Sequence, residues 1–285
     1  MSESTPNAAS PTLTTRRPVA FFGLTGSWTH IAARKLFGSG ADCQENSTIA
    51  QVFEAVSDGS AEYGVVPIEN STEGGVNQTV DELLSRDLHV HGEVVLEIAQ
   101  CLLGLTSDLS RIQRVASHPQ GLAQCRRWLA EHLPNAEQVA SLSTTAAARE
   151  AAHDPHLAAI SNALAGELNG LLVIRESIQD SAENATRFIV IAKSDAERTG
   201  HDKTSLVFST AHSRGALRQV LEIFDRAGIN LTRIESRPAP GRRWEYVFLT
   251  DLEGHRQDPA IARALVELEA HCAWTRVLGS YPRVT

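Results

Sequence analysis

The stretch ENATRFIVIA, residues 183–192, places a hydroxyl group and a cation at the entrance of a predicted buried strand. Thr186 and Arg187 directly precede its apolar run. Two roles fit this placement. Thr186 could satisfy backbone groups while Arg187 pairs with a surface acid, or the strand could present both side chains to a ligand. The other polar clusters of the chain bear on that choice.

These clusters fall where strands are predicted to end. Short apolar stretches alternate with amphipathic stretches of about ten to fifteen residues, which predicts an α/β fold with largely parallel sheets. In such sheets, ligands bind at the carboxyl ends of the strands, where turns lead into helices. The polar clusters at these positions are 25–29, 69–71, 117–118, 143–145 and 184–187.

Composition limits the classes of partner. The chain has 285 residues, 42% hydrophobic and 21% charged, so it can bury the cores of two domains. A formal net charge of -8 argues against nucleic acid or an anionic membrane as the main partner, because both attract basic surfaces. No apolar run approaches the roughly 20 residues of a membrane-spanning helix. We therefore expect a soluble, cytoplasmic protein.

The cysteines and the N-terminus agree with that location. The four cysteines are scattered and form no CxxC pair or Cys/His cluster, which predicts reduced thiols and neither a disulfide framework nor a zinc site. Residues 1–18 are polar, small and proline-containing, and no long apolar segment follows Arg16 and Arg17. We expect a disordered tail there and not a signal peptide.

A polar segment, AKSDAERTGHDK, divides the rest of the chain in two. Beyond it the apolar patterns predict the ferredoxin-like order βαββαβ. The first of these helices has one apolar stripe formed by Leu217, Val220, Leu221 and Phe224. The predicted units are a tail 1–18, a first domain 19–193, a linker 194–202 and a C-terminal domain 203–285.

Several segments together carry a resemblance to a known family. They are YGVVPIENSTEGGV, SHPQGLAQCRRWL, STTAAAREAA, AAISNALAGELNGL, NATRFIVIA, GALRQVL and ESRP. In this order the chain resembles the monofunctional prephenate dehydratases with a C-terminal ACT regulatory domain. The resemblance implies a bilobal, periplasmic-binding-protein-like catalytic domain with a cleft between its lobes. It also implies that the chain passes between the lobes near residue 94 and returns near residue 175.

The reaction implied by the resemblance is loss of water and carbon dioxide from prephenate, which gives phenylpyruvate. Aromatisation drives this elimination, so no redox cofactor or metal is expected. Thr186 is the candidate donor or relay to the leaving hydroxyl group. Arg187 is a candidate carboxylate anchor, with a structural ion pair as the alternative. Asn70 and Ser71 are candidate neutral donors, with a helix cap as the alternative, and Glu69 is expected to pair with a neighbour.

Further residues are candidates for contact with the substrate by the same resemblance: Ser27, Thr29, Ser117, Thr144 and Phe188. Ser117 is also predicted as a helix N-cap, with Pro119 in the first turn. Ser117 and His118 could form a nucleophile and base. However, no acid that would orient the histidine is apparent, and the reaction needs no covalent intermediate.

The first turn departs from the family pattern, which reads close to G-P-x-G-T-F-S. Here residues 23–29 read GLTGSWT. The turn glycines and the outer hydroxyl groups remain, while leucine and tryptophan replace proline and phenylalanine. Trp28 either borders the cleft or packs in the core. This departure leaves the exact substrate open.

The C-terminal domain is the predicted regulatory unit. By resemblance, GALRQVL and ESRP lie together at an interface between ACT domains and bind L-phenylalanine, which is expected to lower activity. The candidate effector residues are Gly215, Ala216, Leu217, Glu235 and Ser236. Interface binding implies a homodimer or homotetramer. Three alternatives stay open: a relative that acts on arogenate or a substituted prephenate, one that decarboxylates prephenate without aromatisation, and a non-catalytic small-molecule sensor.

Overall fold

The computed structural model describes residues 13–181, 183–211, 213–239 and 246–284. Residues 1–12 of the predicted disordered tail lie outside this part of the chain. The described part of that tail, residues 13–18, contacts the first lobe through Leu13. The Leu13 amide donates to the Leu36 carbonyl at 2.8 Å, and the Leu13 side chain packs against a core cluster of this lobe.

The first lobe begins with five strands and three helices. The strands are β1 Val19–Phe22, β2 Cys43–Asn46, β3 Tyr63–Asn70, β4 Gly74–Gly75 and β5 His89–Glu97. The helices are α1 Trp28–Phe37, α2 Ile49–Asp58 and α3 Asn77–Ser85. A capping box starts α2, because the Thr48 hydroxyl accepts from the Gln51 amide while the Gln51 side chain accepts from the Thr48 amide.

The second lobe has its own sheet, in the order β10-β6-β9-β7-β8. Its strands are β6 Cys101–Gly104, β7 Arg114–Ser117, β8 Glu137–Ala140, β9 Leu157–Ser161 and β10 Leu172–Arg175. Its helices are α4 Pro119–Gln124, α5 Arg126–His132, α6 Thr144–Ala151 and α7 Ala163–Leu168, with a 3₁₀ helix at Leu109–Arg111.

The chain crosses between the lobes at 98–100 and returns at 176–184, close to the predicted positions. The return leads into β11 (Ala185–Ala192), which completes the first sheet in the order β2-β1-β3-β11-β5. The chain re-enters this lobe at the edge where β3 ends, so β11 runs antiparallel to β3 and to β5.

Both sheets of the lobes are therefore mixed, and the prediction of largely parallel sheets was wrong. In the first sheet β1 is parallel to β2 and β3, and in the second β7 is parallel to β8 and β9. The pairings of β11, β6 and β10 are antiparallel. The alternation of strands and helices does not determine the direction of a strand that the chain reaches from the other lobe.

The C-terminal domain has the predicted βαββαβ order. Its elements are β12 Asp202–Thr210, α8 Ala216–Arg226, β13 Leu231–Pro238, β14 Tyr246–Glu253, α9 Pro259–His271 and β15 Cys272–Pro282. The sheet order β13-β14-β12-β15 is that of a ferredoxin-like fold. In α8 the predicted stripe buries Val220 and Phe224, while Leu221 remains 36% exposed.

One hydrophobic core joins this domain to the first lobe. Val207, Leu249 and Leu278 of the C-terminal sheet belong to the same cluster of buried residues as Ile189 and Ile191 of β11. Burial of this shared apolar surface fixes the C-terminal domain against the strand that begins at the lobe junction. Among the described residues, no helix is long and apolar enough to cross a membrane.

Candidate active site

A cavity of about 310 Å³ lies between the two lobes. Its lining comes from both lobes and both crossing segments: Phe22, Trp28, Asn70, Ile98, Gln100, His118, Gln120, Gly121, Gln124, Leu142, Ser143, Thr144, Asn184 and Thr186. This set of described residues contains no Asp, Glu, Lys or Arg. The cleft therefore offers amide, hydroxyl and imidazole groups to a ligand, without a lysine or an arginine in its described wall.

Thr186 lies opposite Asn70 where β11 begins and β3 ends. Asn70 Nδ2 donates to Thr186 Oγ1 at 2.8 Å. The orientation of the Asn70 side-chain amide is determined, because Asn70 Oδ1 accepts from the backbone amides of Thr72 at 2.9 Å and Glu73 at 3.2 Å. Thr186 Oγ1 must accept the hydrogen of Asn70, so the hydrogen of the threonine remains free for an acceptor in the cleft.

Ser71 is exposed and does not line the cleft. Its Oγ donates to the Glu183 carbonyl at 2.9 Å and accepts from the Ala185 amide at 3.0 Å. These two bonds tie the end of β3 to the segment that enters β11. The structure thus brings Asn70 and Thr186 together, while Ser71 holds the backbone next to them.

Arg187 lies outside the cleft, on the opposite face of β11 from Thr186. Its guanidinium contacts three carboxylates. Nη1 is 2.8 Å from Asp251 and 3.2 Å from Glu93, and Nη2 is 3.0 Å from Glu69. This geometry corresponds to the alternative interpretation, a structural ion pair, and does not place Arg187 where it could anchor a substrate carboxylate. Since Asp251 belongs to β14, the pair joins the first lobe to the C-terminal domain.

The Arg187–Asp251 pair is strongly shielded from water, with the Asp251 side chain 2% exposed. Burial opposes ionisation of Asp251, but Arg187, Ser205 and Lys203 outweigh it and hold the pKa of that carboxyl below its ordinary value. Burial also opposes the charge of Arg187, yet Asp251 raises the pKa of the guanidinium. Both groups therefore remain charged, and each depends on the other.

Glu69 extends this ion network toward the predicted effector segment. Its carboxylate accepts from Arg187 and lies 3.4 Å from Arg233 Nε on β13. Arg233 also bonds to Glu235, whose carboxylate lies against the backbone of Gly75 in β4. Glu69 thus pairs with its neighbours as expected, and its pairing connects β3, which ends at Asn70, with β13.

Among the residues predicted to contact substrate, Thr144 lies in the cleft wall, at the start of α6. Ser27 is the N-cap of α1, and its Oγ accepts from the His30 amide at 3.3 Å. Thr29 is 5% exposed, and Phe188 is 2% exposed in the first-lobe core. The structure does not bring Ser27, Thr29 or Phe188 to the lining of the cavity.

Ser117 also lies outside the cavity lining and is fully buried. Its hydroxyl donates to the Ile160 carbonyl at 2.8 Å, which does not suit a nucleophile. The predicted cap was wrong by one residue, because β7 continues through Ser117 and His118 is the N-cap of α4. Pro119 occupies the first turn of α4, as predicted.

Trp28 lines the cleft and also packs against the first-lobe core, so both interpretations of this side chain apply. The altered turn before it contacts the second lobe. The Gly26 carbonyl accepts from Asn162 Nδ2 at 2.8 Å, and the Gly26 amide donates to His30 Nδ1 at 3.0 Å. Burial lowers the pKa of His30, which keeps this nitrogen available as an acceptor.

Sequence reasoning missed several amide side chains of the cleft. Gln100 is 2% exposed and donates to Gln124 Oε1 at 3.1 Å. Asn184 is 4% exposed, and its Oδ1 accepts from Asn70 Nδ2 at 3.0 Å. A usable signal existed for Asn184, which belongs to the predicted polar cluster 184–187, whereas Gln100 lies beyond the predicted crossing near residue 94. In the described chain, no group of three His, Cys, Asp or Glu side chains is arranged to hold a metal ion.

The cleft-forming part of the chain matches a known family. The family model for prephenate dehydratase matches residues 19–196, which include both lobes and the strand that carries Thr186. The chain belongs to the prephenate dehydratase family. A second family model, the ACT domain, matches residues 204–270 within the C-terminal domain.

Curated relatives of this prephenate dehydratase family member cover nearly its whole length. A bifunctional chorismate mutase/prephenate dehydratase from Aquifex aeolicus is 43% identical over 93% of this chain and 73% of the relative. A prephenate dehydratase from Amycolatopsis methanolica is 37% identical over 93% of this chain and 88% of the relative.

Solved structures show the same fold. The prephenate dehydratase from Arthrobacter aurescens, in complex with L-Phe, is 38% identical with a TM-score of 0.85 and covers 94% of this chain and 90% of that chain. GqqA, described as a novel type of quorum quenching acylase, is 33% identical with a TM-score of 0.84 and covers 93% of this chain and 98% of that chain.

The ACT domain contains a second cavity, of about 750 Å³. Predicted effector residues in its lining are Gly215, Ala216, Leu217 and Ser236. Gly215 precedes α8 with a φ of 81°, a left-handed conformation that favours glycine. Glu235 is not among the lining residues, because its side chain turns to Arg233 and Gly75.

Proposed function

We propose that this chain dehydrates and decarboxylates prephenate in the cleft between its lobes. In this proposal Thr186 is the donor to the leaving hydroxyl group, and Asn70 orients Thr186. The observation that carries the assignment is the 2.8 Å bond from Asn70 Nδ2 to Thr186 Oγ1. That bond makes the threonine a donor toward the cleft, and a hydroxyl group that leaves with its electron pair needs a donor.

The electron flow needs no oxidant. The bond between the ring and its carboxylate breaks, carbon dioxide leaves, and the electron pair of that bond moves into the ring. The ring becomes aromatic as the C–O bond breaks, and the oxygen departs with the pair from that bond. The oxygen takes up a proton to become water. We assign the Thr186 hydroxyl as the relay for this proton from solvent, because a threonine is too weak an acid to supply it alone.

A cleft without lysine or arginine in its described lining suits the decarboxylating half of the reaction. A full cation beside the ring carboxylate would stabilise the starting state more than the transition state, in which this charge has moved into the ring. The described lining has amide, hydroxyl and imidazole groups and no Lys or Arg. Partial removal of the carboxylate from water then favours its loss.

The pyruvyl carboxylate still requires an anchor that holds the ring in one pose. We propose Thr144 and the start of α6 for this task. Thr144 lines the cleft, and α6 begins there with Ser143 Oγ accepting from the Ala146 amide at 2.9 Å. Free backbone amides and the helix dipole at such a start favour an anion.

For the ACT domain we propose L-phenylalanine as the effector, bound between two copies of the domain and lowering activity. The cavity that contains Gly215 and Ser236 supports this site. A homodimer or a dimer of dimers follows from interface binding, and phenylalanine should tighten it. Sedimentation with and without phenylalanine tests this assembly. A cytoplasmic location is also part of the proposal, in line with four free cysteines.

The first test is to incubate the purified chain with prephenate and to identify the product by proton NMR. Phenylpyruvate formed well above the spontaneous rate is the expected result. A non-aromatic dihydro product would instead indicate a decarboxylase and remove the role of Thr186. Arogenate should be offered in parallel, because the larger ring of Trp28 in the cleft wall keeps a modified substrate as the second candidate. No product from either compound would contradict a catalytic function.

A further inference from the structure

Asn184 lines the cleft and carries a buried amide nitrogen. The residue is 4% exposed, and its Nδ2 has no hydrogen-bond partner among the described residues. A buried donor without a partner destabilises the folded state, and such groups are rare in native structures. The residue also lines the cavity that contains Thr186. These observations suggest that the partner of this donor is a bound ligand.

The orientation of the Asn184 amide follows from its neighbour. Asn70 Oδ1 already accepts from the backbone amides of Thr72 and Glu73, so the NH₂ group of Asn70 must face Asn184 and Thr186. Asn184 Oδ1 accepts from Asn70 Nδ2 at 3.0 Å. The unpaired end of Asn184 is therefore a donor and not an acceptor.

The backbone around Asn184 is firmly held. Its carbonyl accepts from the Ile98 amide at 2.8 Å. On either side, the Ser71 hydroxyl donates to the Glu183 carbonyl and accepts from the Ala185 amide. The backbone that carries the unpaired donor is thus fixed, which favours a preorganised contact.

We propose that Asn184 Nδ2 donates to the oxygen of the leaving hydroxyl group, together with Thr186. This role rests on the proposed function. Asn70 Nδ2 lies 2.8 Å from Thr186 Oγ1 and 3.0 Å from Asn184 Oδ1, so the two side chains are neighbours. One oxygen with two lone pairs can accept from both. As the C–O bond breaks and its electron pair moves to the oxygen, both donors stabilise the growing negative charge.

Asn184 transfers no proton in this scheme. The proton that completes the water molecule arrives through the Thr186 hydroxyl, as above. A role in the breaking of the C–O bond predicts which ligands depend on Asn184 for binding. Phenylpyruvate keeps the pyruvyl carboxylate but lacks the leaving hydroxyl group, so its affinity should not depend on Asn184.

The test compares Asn184→Ala and Asn184→Asp with the unaltered chain. Asn184→Asp keeps an oxygen that can accept from Asn70 but removes the donor. The matched control is Asn169→Ala, because Asn169 Nδ2 donates to the Ala165 carbonyl and the residue is outside the cleft lining. We expect kcat to fall about 10²- to 10³-fold in both Asn184 variants. Phenylpyruvate affinity in Asn184→Ala and kcat in Asn169→Ala should stay unchanged.

Three results would overturn this role alone. The first is full turnover by Asn184→Ala. The second is retained turnover by Asn184→Asp, which would make Asn184 only an acceptor for Asn70. The third is a parallel loss of phenylpyruvate affinity in Asn184→Ala, which would mean that Asn184 donates to a carboxylate of the ligand. Circular dichroism and thermal unfolding identify a variant that fails to fold. If the unaltered chain does not convert prephenate, the proposed function fails together with this role.

Discussion

Thr186 and Arg187 are consecutive residues of β11 whose side chains leave opposite faces of the sheet. Thr186 Oγ1 lies 2.8 Å from Asn70 Nδ2 in the cleft wall, whereas Arg187 Nη1 lies 2.8 Å from Asp251 Oδ2 in the ACT domain. The residue proposed to contact the substrate is therefore joined by one peptide bond to the residue that docks the regulatory domain. This adjacency provides a physical route between Asp251 of the ACT domain and the Thr186 hydroxyl.

Replacement of Thr186 by valine keeps the shape of the side chain and removes its hydroxyl. We expect kcat with prephenate to fall about 10²- to 10³-fold, as on removal of one preorganised donor, with little change in KM. Thr106→Val is the control, since Thr106 lies beyond β6 and outside the cleft lining. Steady-state kinetics and thermal unfolding measure the effect. A folded Thr186→Val variant with full turnover would contradict the assignment.

Replacement of Arg187 by methionine leaves Asp251 buried without its paired cation, while Glu93 keeps its pair with Lys203. We expect a loss of about 3–5 kcal/mol in the free energy of unfolding, and partial recovery when Asp251→Asn is added. Arg226→Met is the matched control, because Arg226 is 65% exposed where it pairs with Glu267. An exposed pair contributes less than about 1 kcal/mol. Urea unfolding of both single variants and the double variant gives the coupling, and equal losses for the two arginines would refute this prediction.

Asp251 should make the domain junction sensitive to acid. The pKa of its carboxyl is depressed in the folded chain, whereas in the unfolded chain it is about 3.9. The unfolded state therefore binds the proton first as the pH falls. The stabilisation is complete above about pH 5 and is lost as the pH drops through the folded pKa. Between about pH 5 and pH 3, the free energy of unfolding should fall less steeply for Asp251→Asn than for the unaltered chain. Parallel curves would contradict this expectation.

Much of the architecture could be predicted from local pattern. The βαββαβ order beyond residue 202 follows from hydrophobic periodicity, and the polar cluster at the start of β11 does mark the cleft. Strand direction could not be predicted in the same way. β11 is antiparallel because its chain returns from the second lobe, and this depends on tertiary connection and not on any local signal.

The division of roles between Thr186 and Arg187 could have been predicted. Successive side chains of a strand point to opposite faces, so two neighbours in β11 cannot both face the cleft. What the sequence could not reveal is the partner on the far face, since Asp251 is distant along the chain. Asn184 belongs to the predicted polar cluster 184–187 but was not named as a candidate for a related reason: its importance comes from the amide of Asn70, with which it pairs only in the folded chain.

Glu235 provides the last prediction, because it lies between the ACT-domain cavity and the ion network that includes Glu69 and Arg187. Its neighbour Ser236 lines the cavity, while Glu235 itself bonds to Arg233, whose Nε lies 3.4 Å from Glu69. Glu235→Gln should therefore weaken inhibition by phenylalanine while phenylalanine still binds. Ser236→Val, which alters the cavity, should instead reduce phenylalanine affinity directly.

Calorimetric titration with phenylalanine, in the absence and presence of phenylpyruvate, separates these two effects. The ratio of the two affinities measures the coupling between sites, typically about 5- to 150-fold, and must be the same for either order of binding. We expect this ratio to approach unity in Glu235→Gln and to persist in Ser236→Val at higher phenylalanine concentrations. Undiminished coupling in Glu235→Gln would show that the signal from the ACT domain reaches Thr186 by another route, with the Arg187–Asp251 pair as the next one to test.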